Sequence, residues 1–387
     1  MGVVRAVRRK LRAVRTVGAV WPALVRGGRL LARGRVREFA AKLLSERPSA
    51  VPQTAGPPLA LAGIALKPGG YDHVVLEVAR GLIGLGVNVL RDPTAVVSLL
   101  PLPEGASDAP RLIAAPPHLL HRFDPCARSA AFTMWETDTL PPGAVAELNR
   151  CRLVVVPSAW GAECFRANGV CVPIEVVPLG YDPAAFAPTP PAPGVVFGTA
   201  GALDEGGLRK NVQRVIDVFV RAFPAGAGVR LRVKITPASP PVDTHGDPRV
   251  DVTRRTLHAG ELASWYHGLT AFVNLSHGEG FGLHLLEAMA SGRPLVSAAF
   301  GGLGAFFDGS VGYELPHRVV EARNAVYAGR WADVSDENVI ERMREIAANP
   351  GRAAEVGERA AARAAGFTWD RTARELASAL ARHGMLP

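Results

Sequence analysis

The sequence predicts an α/β protein made of two doubly wound, Rossmann-like domains that face a central cleft. Three observations predict it. The chain has 387 residues, too many for one ordinary core. From residue 59 onward, short apolar runs alternate with amphipathic stretches that end in glycine. Between Val177 and Pro193 prolines accumulate and the alternation stops, then restarts at Gly194. Composition narrows the class further. Hydrophobic residues at 48% and charged residues at 20% are a globular balance. The glycines and prolines follow no G-X-Y period, so a collagen-like chain is excluded. No run of about 18 apolar residues exists, which argues against a spanning helix. Arginines run through the first forty residues with no clean apolar core and cleavage site behind them, which argues against a secretory signal. The cysteines Cys126, Cys151, Cys164 and Cys171 form no C-x-x-C pair. A disulfide scaffold or zinc ribbon is therefore not expected, and a cytoplasmic location is.

Taken in order, residues 1–50 are a basic amphipathic segment. They hold 13 Lys and Arg against 2 Asp and Glu, so the remaining chain is close to neutral. Arg5, Arg8, Arg9, Arg12 and Arg15 share one helical arc and Val4, Val7, Leu11 and Val14 another. Such a segment suits an anionic bilayer surface, where each basic side chain adds roughly 1 kcal/mol; packing on the body or a basic tail is the plainer reading. The body lacks the clustered basic and aromatic residues of a nucleic-acid surface, so no nucleic-acid partner is expected. Residues 59–175 form the first domain: a strand at Leu59–Leu66, a helix at Val74–Leu85, strands at Val87–Leu90 and Leu153–Val156, and a helix from Ala159 to Asn168. Residues 176–365 form the second domain, and 366–387 a final helix expected to cross back to the first.

The sharpest segment runs from Ala271 to Gly292. A strand at Ala271–Ser276 leads into a loop punctuated by Gly278, Gly280 and Gly282, and a helix opens around Leu283. Glycines let backbone N–H groups approach a ligand closely, and the helix start offers unsatisfied donors to an anion. Glu279 and Glu287 add acceptors for hydroxyl groups. Glycine-rich strand-to-helix loops also occur for packing alone.

The string E-G-F-G-L-x-x-x-E-A-M-A-x-G-x-P, with its glutamates eight apart, resembles the donor signature of the retaining GT-B glycosyltransferases of family 4. Val154–Phe165 and Val176–Phe186 are similar to that family's end-of-first-domain strand, helix and linker. Leu208-Arg209-Lys210-Asn211 resembles the R-K-N form of its phosphate loop, and Phe367-Thr368-Trp369 the start of its last helix. The resemblance implies a metal-independent transferase with no cofactor beyond its donor, a UDP-sugar or GDP-sugar, and a hydroxyl acceptor, lipid-linked or a small natural product. It implies that Glu287 binds the ribose and Glu279 the donor sugar. Phe281, Gly282 and Leu283 would present N–H groups, with Gly280 in the same loop, and Arg209 and Lys210 would neutralise the diphosphate. Gly69 and Gly70 resemble its first-domain glycine loop, and a plain strand-to-helix turn fits them equally well. His118, and with less weight His121, lie where it places a histidine near the reacting centre, and Glu136 is an acceptor-side candidate. Asp138 reads as a solvated turn, Trp265, Trp331 and Trp369 as packing residues, and Asp243, His245 and Asp247 as a surface loop rather than a metal site. Ala202 stands where the family more often has its arginine. A sugar-nucleotide epimerase of the same shape, or a non-catalytic assembly protein docked on a membrane, fits these residues as well. An excess of arginine over lysine, 39 to 5, points to a GC-rich bacterial genome.

Overall fold

A computed structural model describes residues 55–63, 70–92, 108–203, 209–322 and 326–387. The basic segment at 1–50, Gly69 and Leu208 lie outside the described residues.

The first domain alternates as its apolar spacing predicts. Strand β1 (Pro58–Gly63) is followed by helix α1 (Tyr71–Gly84), β2 (Asn88–Arg91), β3 (Arg111–Ala114), a 3-10 turn at Pro117–Phe123, β4 (Ser129–Phe132), α2 (Ala144–Leu148), β5 (Leu153–Val156), α3 (Ala159–Ala167) and β6 (Ile174–Val176). The strands pair in parallel in the order β2-β1-β3-β4-β5-β6. β4 and β5 are buried at every position, as expected of a sheet covered on both faces.

The second domain repeats the plan with β7 (Val195–Gly201), α4 (Val212–Ala222), β8 (Val229–Ile235), β9 (Val250–Arg254), α5 (Ala259–His267), β10 (Ala271–Val273), α6 (Leu283–Ala290), β11 (Leu295–Ser297) and β12 (Tyr313–Glu314). All its pairings are parallel, in the order β12-β11-β10-β7-β8-β9. Strand order reverses between β1 and β3 in one sheet and between β7 and β10 in the other. Ligand crevices open at such points, beyond the carboxyl ends of the strands.

Two features depart from the expected alternation. β10 ends at Val273 rather than Ser276. The Asn274 side chain donates to Ser297 Oγ at 3.0 Å and its Oδ1 accepts the Ser276 N–H, which turns the chain away from the sheet. An antiparallel ribbon, β13 (His317–Glu321) with β14 (Arg330–Val334), is also inserted before α7 (Asp336–Ala348) and α8 (Pro350–Ala364). Its Tyr327 and Trp331 are buried in the core of the first domain, beside Trp135, Leu140 and Phe165.

The last helix, α9 (Trp369–Arg382), lies against α1. A Cβ at Gly81 would stand 2.5 Å from that of Ala373, so this crossing requires glycine. The two chain crossings between the domains touch at Gly180 and Thr368, with Tyr181 accepting the Trp369 N–H. Among the described residues, no helix is long and apolar enough to cross a membrane.

Candidate active site

The loops after β7 and β10 meet at the reversal point of the second sheet. The first brings Arg209 and Lys210 and the second brings Glu279. Lys210 Nζ donates to Glu279 Oε1 at 2.5 Å, and Arg209 donates to Glu279 Oε2 at 3.4 Å and to the Gly278 carbonyl at 2.9 Å. Glu279 is only 7% exposed. Burial works to raise its pKa, but the Lys210 and Arg209 charges overcome this and hold the carboxyl well below the usual range. Burial lowers the pKa of Lys210, and the carboxylate beside it opposes that shift.

The two loops are stitched together by Asn211 and His277. Asn211 sits in the left-handed region at φ 47°, a conformation that asparagine tolerates better than most residues. Its amide donates to the Leu275 carbonyl at 3.0 Å and meets His277 Nε2 at 2.9 Å. His277 Nδ1 faces the Ala332 carbonyl at 2.6 Å, and its ring stacks on Trp331. Both contacts are met at once by a neutral ring with its proton on Nδ1, and burial lowers the His277 pKa toward that form.

Gly282, at φ 94°, caps α6 without a side-chain acceptor, so the helix start at Leu283 keeps N–H groups for an anion. Phe281 buries its ring against Phe306 and Phe367 and anchors the loop. Gly278 and Gly280 have a role besides ligand approach. A Cβ at Gly278 would stand 2.0 Å from the Glu136 carbonyl, and one at Gly280 would stand 2.7 Å from Met134. The first domain therefore presses its Met134–Glu136 segment directly onto the glycine loop.

One helical turn into α6, Glu287 is 7% exposed and receives the Tyr266 hydroxyl at 3.4 Å. Burial lifts its pKa to about 8, against the pull of that hydroxyl and of Lys234 on β8. Burial, with Lys210 next, pushes His284 down to about 3. Tyr266, Lys234 and His284 were not found in the sequence. They come from three elements, and only the His284–Glu287 spacing of three on one helix face offered a signal.

On the first domain, Glu136 Oε1 lies 3.8 Å from the Arg209 guanidinium, whose carbon stands 5.5 Å from the centroid of the Tyr327 ring. Tyr71, also missed in the sequence, brackets Met134: its hydroxyl accepts the Met134 N–H at 2.9 Å and donates to the Met134 carbonyl at 3.2 Å. Gly70 precedes it at φ 61°, capping α1 beyond the end of β1. His118 packs its ring on Trp135, which in turn contacts Tyr327. His121 is exposed near the end of the 3-10 turn. Asp138 is not a solvated turn residue. It accepts the Arg330 N–H at 2.7 Å and pairs with its side chain at 2.8 Å, because β14 runs alongside it. Among the described residues, no group of three or more His, Cys, Asp or Glu is placed to hold a metal ion.

Residues 196–326 match the family model described as Glycosyl transferases group 1. A D-inositol 3-phosphate glycosyltransferase of Arthrobacter sp. is 36% identical over 118 residues, which is 30% of this chain and 24% of that one. Curated relatives of this kind are matched over about a quarter to a half of their own length. Among solved structures, sucrose-phosphate synthase from Thermosynechococcus elongatus superposes with a TM-score of 0.64 at 16% identity, over 84% of this chain and 98% of that one. An Anabaena protein in complex with UDP and glucose gives 0.57 at 14%, over 84% and 99%. The family match covers the glycine loop, both its glutamates and the cation pair, and the solved structures share the two facing sheets. The chain therefore has the GT-B fold, and residues 196–326 of its second domain are similar to the group 1 glycosyltransferases.

Proposed function

We propose that the protein transfers a sugar from a nucleoside diphosphate carrier to a hydroxyl acceptor, with retention of anomeric configuration and without a metal ion. One observation carries the reading: Arg209 and Lys210 converge on Glu279 beside an uncapped helix start, at the reversal point of the second sheet. As the glycosidic bond breaks, negative charge grows on the departing diphosphate. The two cations and the α6 N–H groups stabilise that charge, which is the task a metal performs elsewhere. Glu279 then holds hydroxyls of the donor sugar, and Glu287 those of the ribose. No carboxylate pair across the sugar is needed when the acceptor attacks from the face the diphosphate leaves. Gly70 approaches the diphosphate from the first domain, with His118 and Glu136 on the acceptor side. The Anabaena neighbour's complex with UDP and glucose, and the relatives named for a glycosyl transfer to inositol 3-phosphate, support a nucleotide-sugar donor and a hydroxyl acceptor.

A thermal-shift screen of UDP- and GDP-sugars tests the reading, because a ligand that binds only the native state raises its melting temperature. One nucleotide series should stabilise the protein, and Lys210→Ala should abolish that shift. Silence toward every nucleotide, or a shift unchanged in the variant, refutes the site. The acceptor is lipid-linked if residues 1–45 hold the chain on an anionic membrane. A chain lacking them should then lose binding to phosphatidylglycerol vesicles, and unchanged binding removes this part of the proposal.

A further inference from the structure

We propose that Lys234 is the second half of a ribose clamp: its ammonium donates to the lone pairs of the hydroxyls whose protons Glu287 accepts, and the two together select a ribonucleotide carrier over a deoxy one. This rests on the donor reading above and deepens it at the nucleoside end of the same pocket.

The strand sets Lys234 at the edge where ligands bind. Along β8, Val229, Leu231, Val233 and Ile235 enter the core, and Arg230, Arg232 and Lys234 take the opposite face. Arg232 lies beside Gly198 of β7, and its guanidinium reaches Gly268 at the end of α5, so this face looks toward α5 and α6. Lys234 comes one step later, beside Ala200, at the carboxyl end of the sheet.

The α6 helix stands opposite. Its His284 and Glu287 are three residues apart on one face. The Tyr266 hydroxyl holds that face in place, reaching the His284 carbonyl at 2.8 Å and Glu287 Oε2 at 3.4 Å. Glu287 attracts Lys234 across the space between them, yet Lys234 forms no hydrogen bond or ion pair among the described residues. His284 gives it no partner either: the ring is held neutral by burial, with Lys210 next, and its Nε2 is buried with no hydrogen bond. A half-buried ammonium without a partner is unfavourable, and burial accordingly lowers the pKa of Lys234.

The chemistry of the gap selects what fills it. An ammonium only donates, and Glu287 offers an oxygen that accepts. A phosphate oxygen or a base carbonyl would satisfy Lys234 but has no proton for Glu287. A hydroxyl serves both, because its oxygen accepts from the ammonium while its proton goes to the glutamate. The adjacent hydroxyls of a ribose supply two such groups, and a deoxy sugar leaves the lysine and the glutamate unpaired.

The test is calorimetric titration of the full chain with UDP, GDP and their 2′,3′-dideoxy forms. The wild type should prefer the ribo form. Lys234→Met keeps the stem and removes the ammonium. It should weaken the ribonucleotide by about tenfold, the scale of one hydrogen bond to a charged group, and leave the dideoxy form unchanged. Lys234→Arg keeps a cationic donor and should recover part of the preference. Added salt should weaken both forms and leave their ratio in place, since the hydroxyls carry no charge. An equal loss for both forms in Lys234→Met makes Lys234 a phosphate-binding cation and overturns the inference, as does a wild type without preference for ribose. A wild-type chain silent to both UDP and GDP overturns the donor reading with it. Nucleotide binding that Lys210→Ala abolishes and Lys234→Met spares sinks this inference alone.

Discussion

Removing the Glu279 carboxylate tests the electrostatic core of the site most directly. In the native structure the ammonium of Lys210, only 13% exposed, has this carboxylate at 2.5 Å with Arg209 alongside. Glu279→Ala leaves two like charges facing each other in a desolvated pocket. Breaking a buried pair by removing one partner costs about 3–5 kcal/mol, because the remaining charge stays buried and uncompensated. Arg209 keeps the Gly278 carbonyl and Glu136, so the loss falls mainly on Lys210 and the lower end, about 3 kcal/mol, applies. At roughly 2–4 °C per kcal/mol this is a fall in melting temperature of about 6–12 °C. Lys210→Met behaves differently. It leaves Glu279 with Arg209 at 3.4 Å, so its cost should be about 1–2 kcal/mol. Denaturant unfolding of both single variants and the double variant reads these values, and the cycle should return a coupling of about 2 kcal/mol. The ordering decides the matter. If Lys210→Met destabilises as much as Glu279→Ala, or if Glu279→Ala melts within 1 or 2 °C (about the scatter of such scans) of the wild type, the buried triad described here does not govern this site.

Three further outcomes follow from the same geometry. Gly278→Ala places a Cβ 2.0 Å from the Glu136 carbonyl, so one domain must retreat; transfer activity should fall at least about tenfold while the melting curve moves little, and full activity would refute the tight junction. Asn211→Ala loses the contacts to Leu275 and His277 and puts alanine at φ 47°, for a combined loss of about 2 kcal/mol by denaturant unfolding, whereas Asn211→Gly should recover the backbone part. Glu287 holds its proton in the folded chain up to a pKa of about 8 and loses it near 4.5 when unfolded, so the native state binds more protons in that window and stability must fall as pH rises through it. Glu287→Gln should match the wild type near pH 5, close to where a free glutamate titrates, and exceed it by about 3–4 kcal/mol near pH 8; parallel pH profiles would show that Glu287 is solvated.

How much of this was legible depended on whether one element carried the whole signal. The second domain's site was legible because Gly278, Glu279, Gly280, Gly282 and Glu287 lie within ten residues, and a strand-to-helix loop fixes their directions. The pairing of Glu279 with Lys210 is 69 residues apart in sequence, and only the neighbouring positions of β7 and β10 in the sheet bring them together. The β13–β14 ribbon was missed because its pattern misleads. Val319 is 51% exposed, and Trp331 is buried in the other domain's core, so neither residue shows the alternation of a strand packed on its own domain. Asp138 read as a turn residue for the same reason, since its partner Arg330 arrives on that ribbon.

The ribbon also explains why the two domains meet where the chemistry is expected. It leaves the second sheet after β12, buries Tyr327 and Trp331 under Trp135, and returns to α7 past Arg214, which binds Asp333 and Asp336. Along this path Trp331 stacks on His277, and Tyr327 lies beneath Arg209. Burial of two large aromatic side chains in the opposite core is worth several kcal/mol at about 25 cal/mol per Å². That energy holds Arg209 and the His277–Asn211 stitch against the Met134–Glu136 segment. A variant that empties the aromatic slot, such as Trp331→Ala, should therefore weaken the Arg209–Glu136 contact although neither residue is touched. Its effect on nucleoside diphosphate affinity should be non-additive with Glu136→Gln. Strict additivity would mean that the ribbon packs the domains together without controlling the charge pair between them.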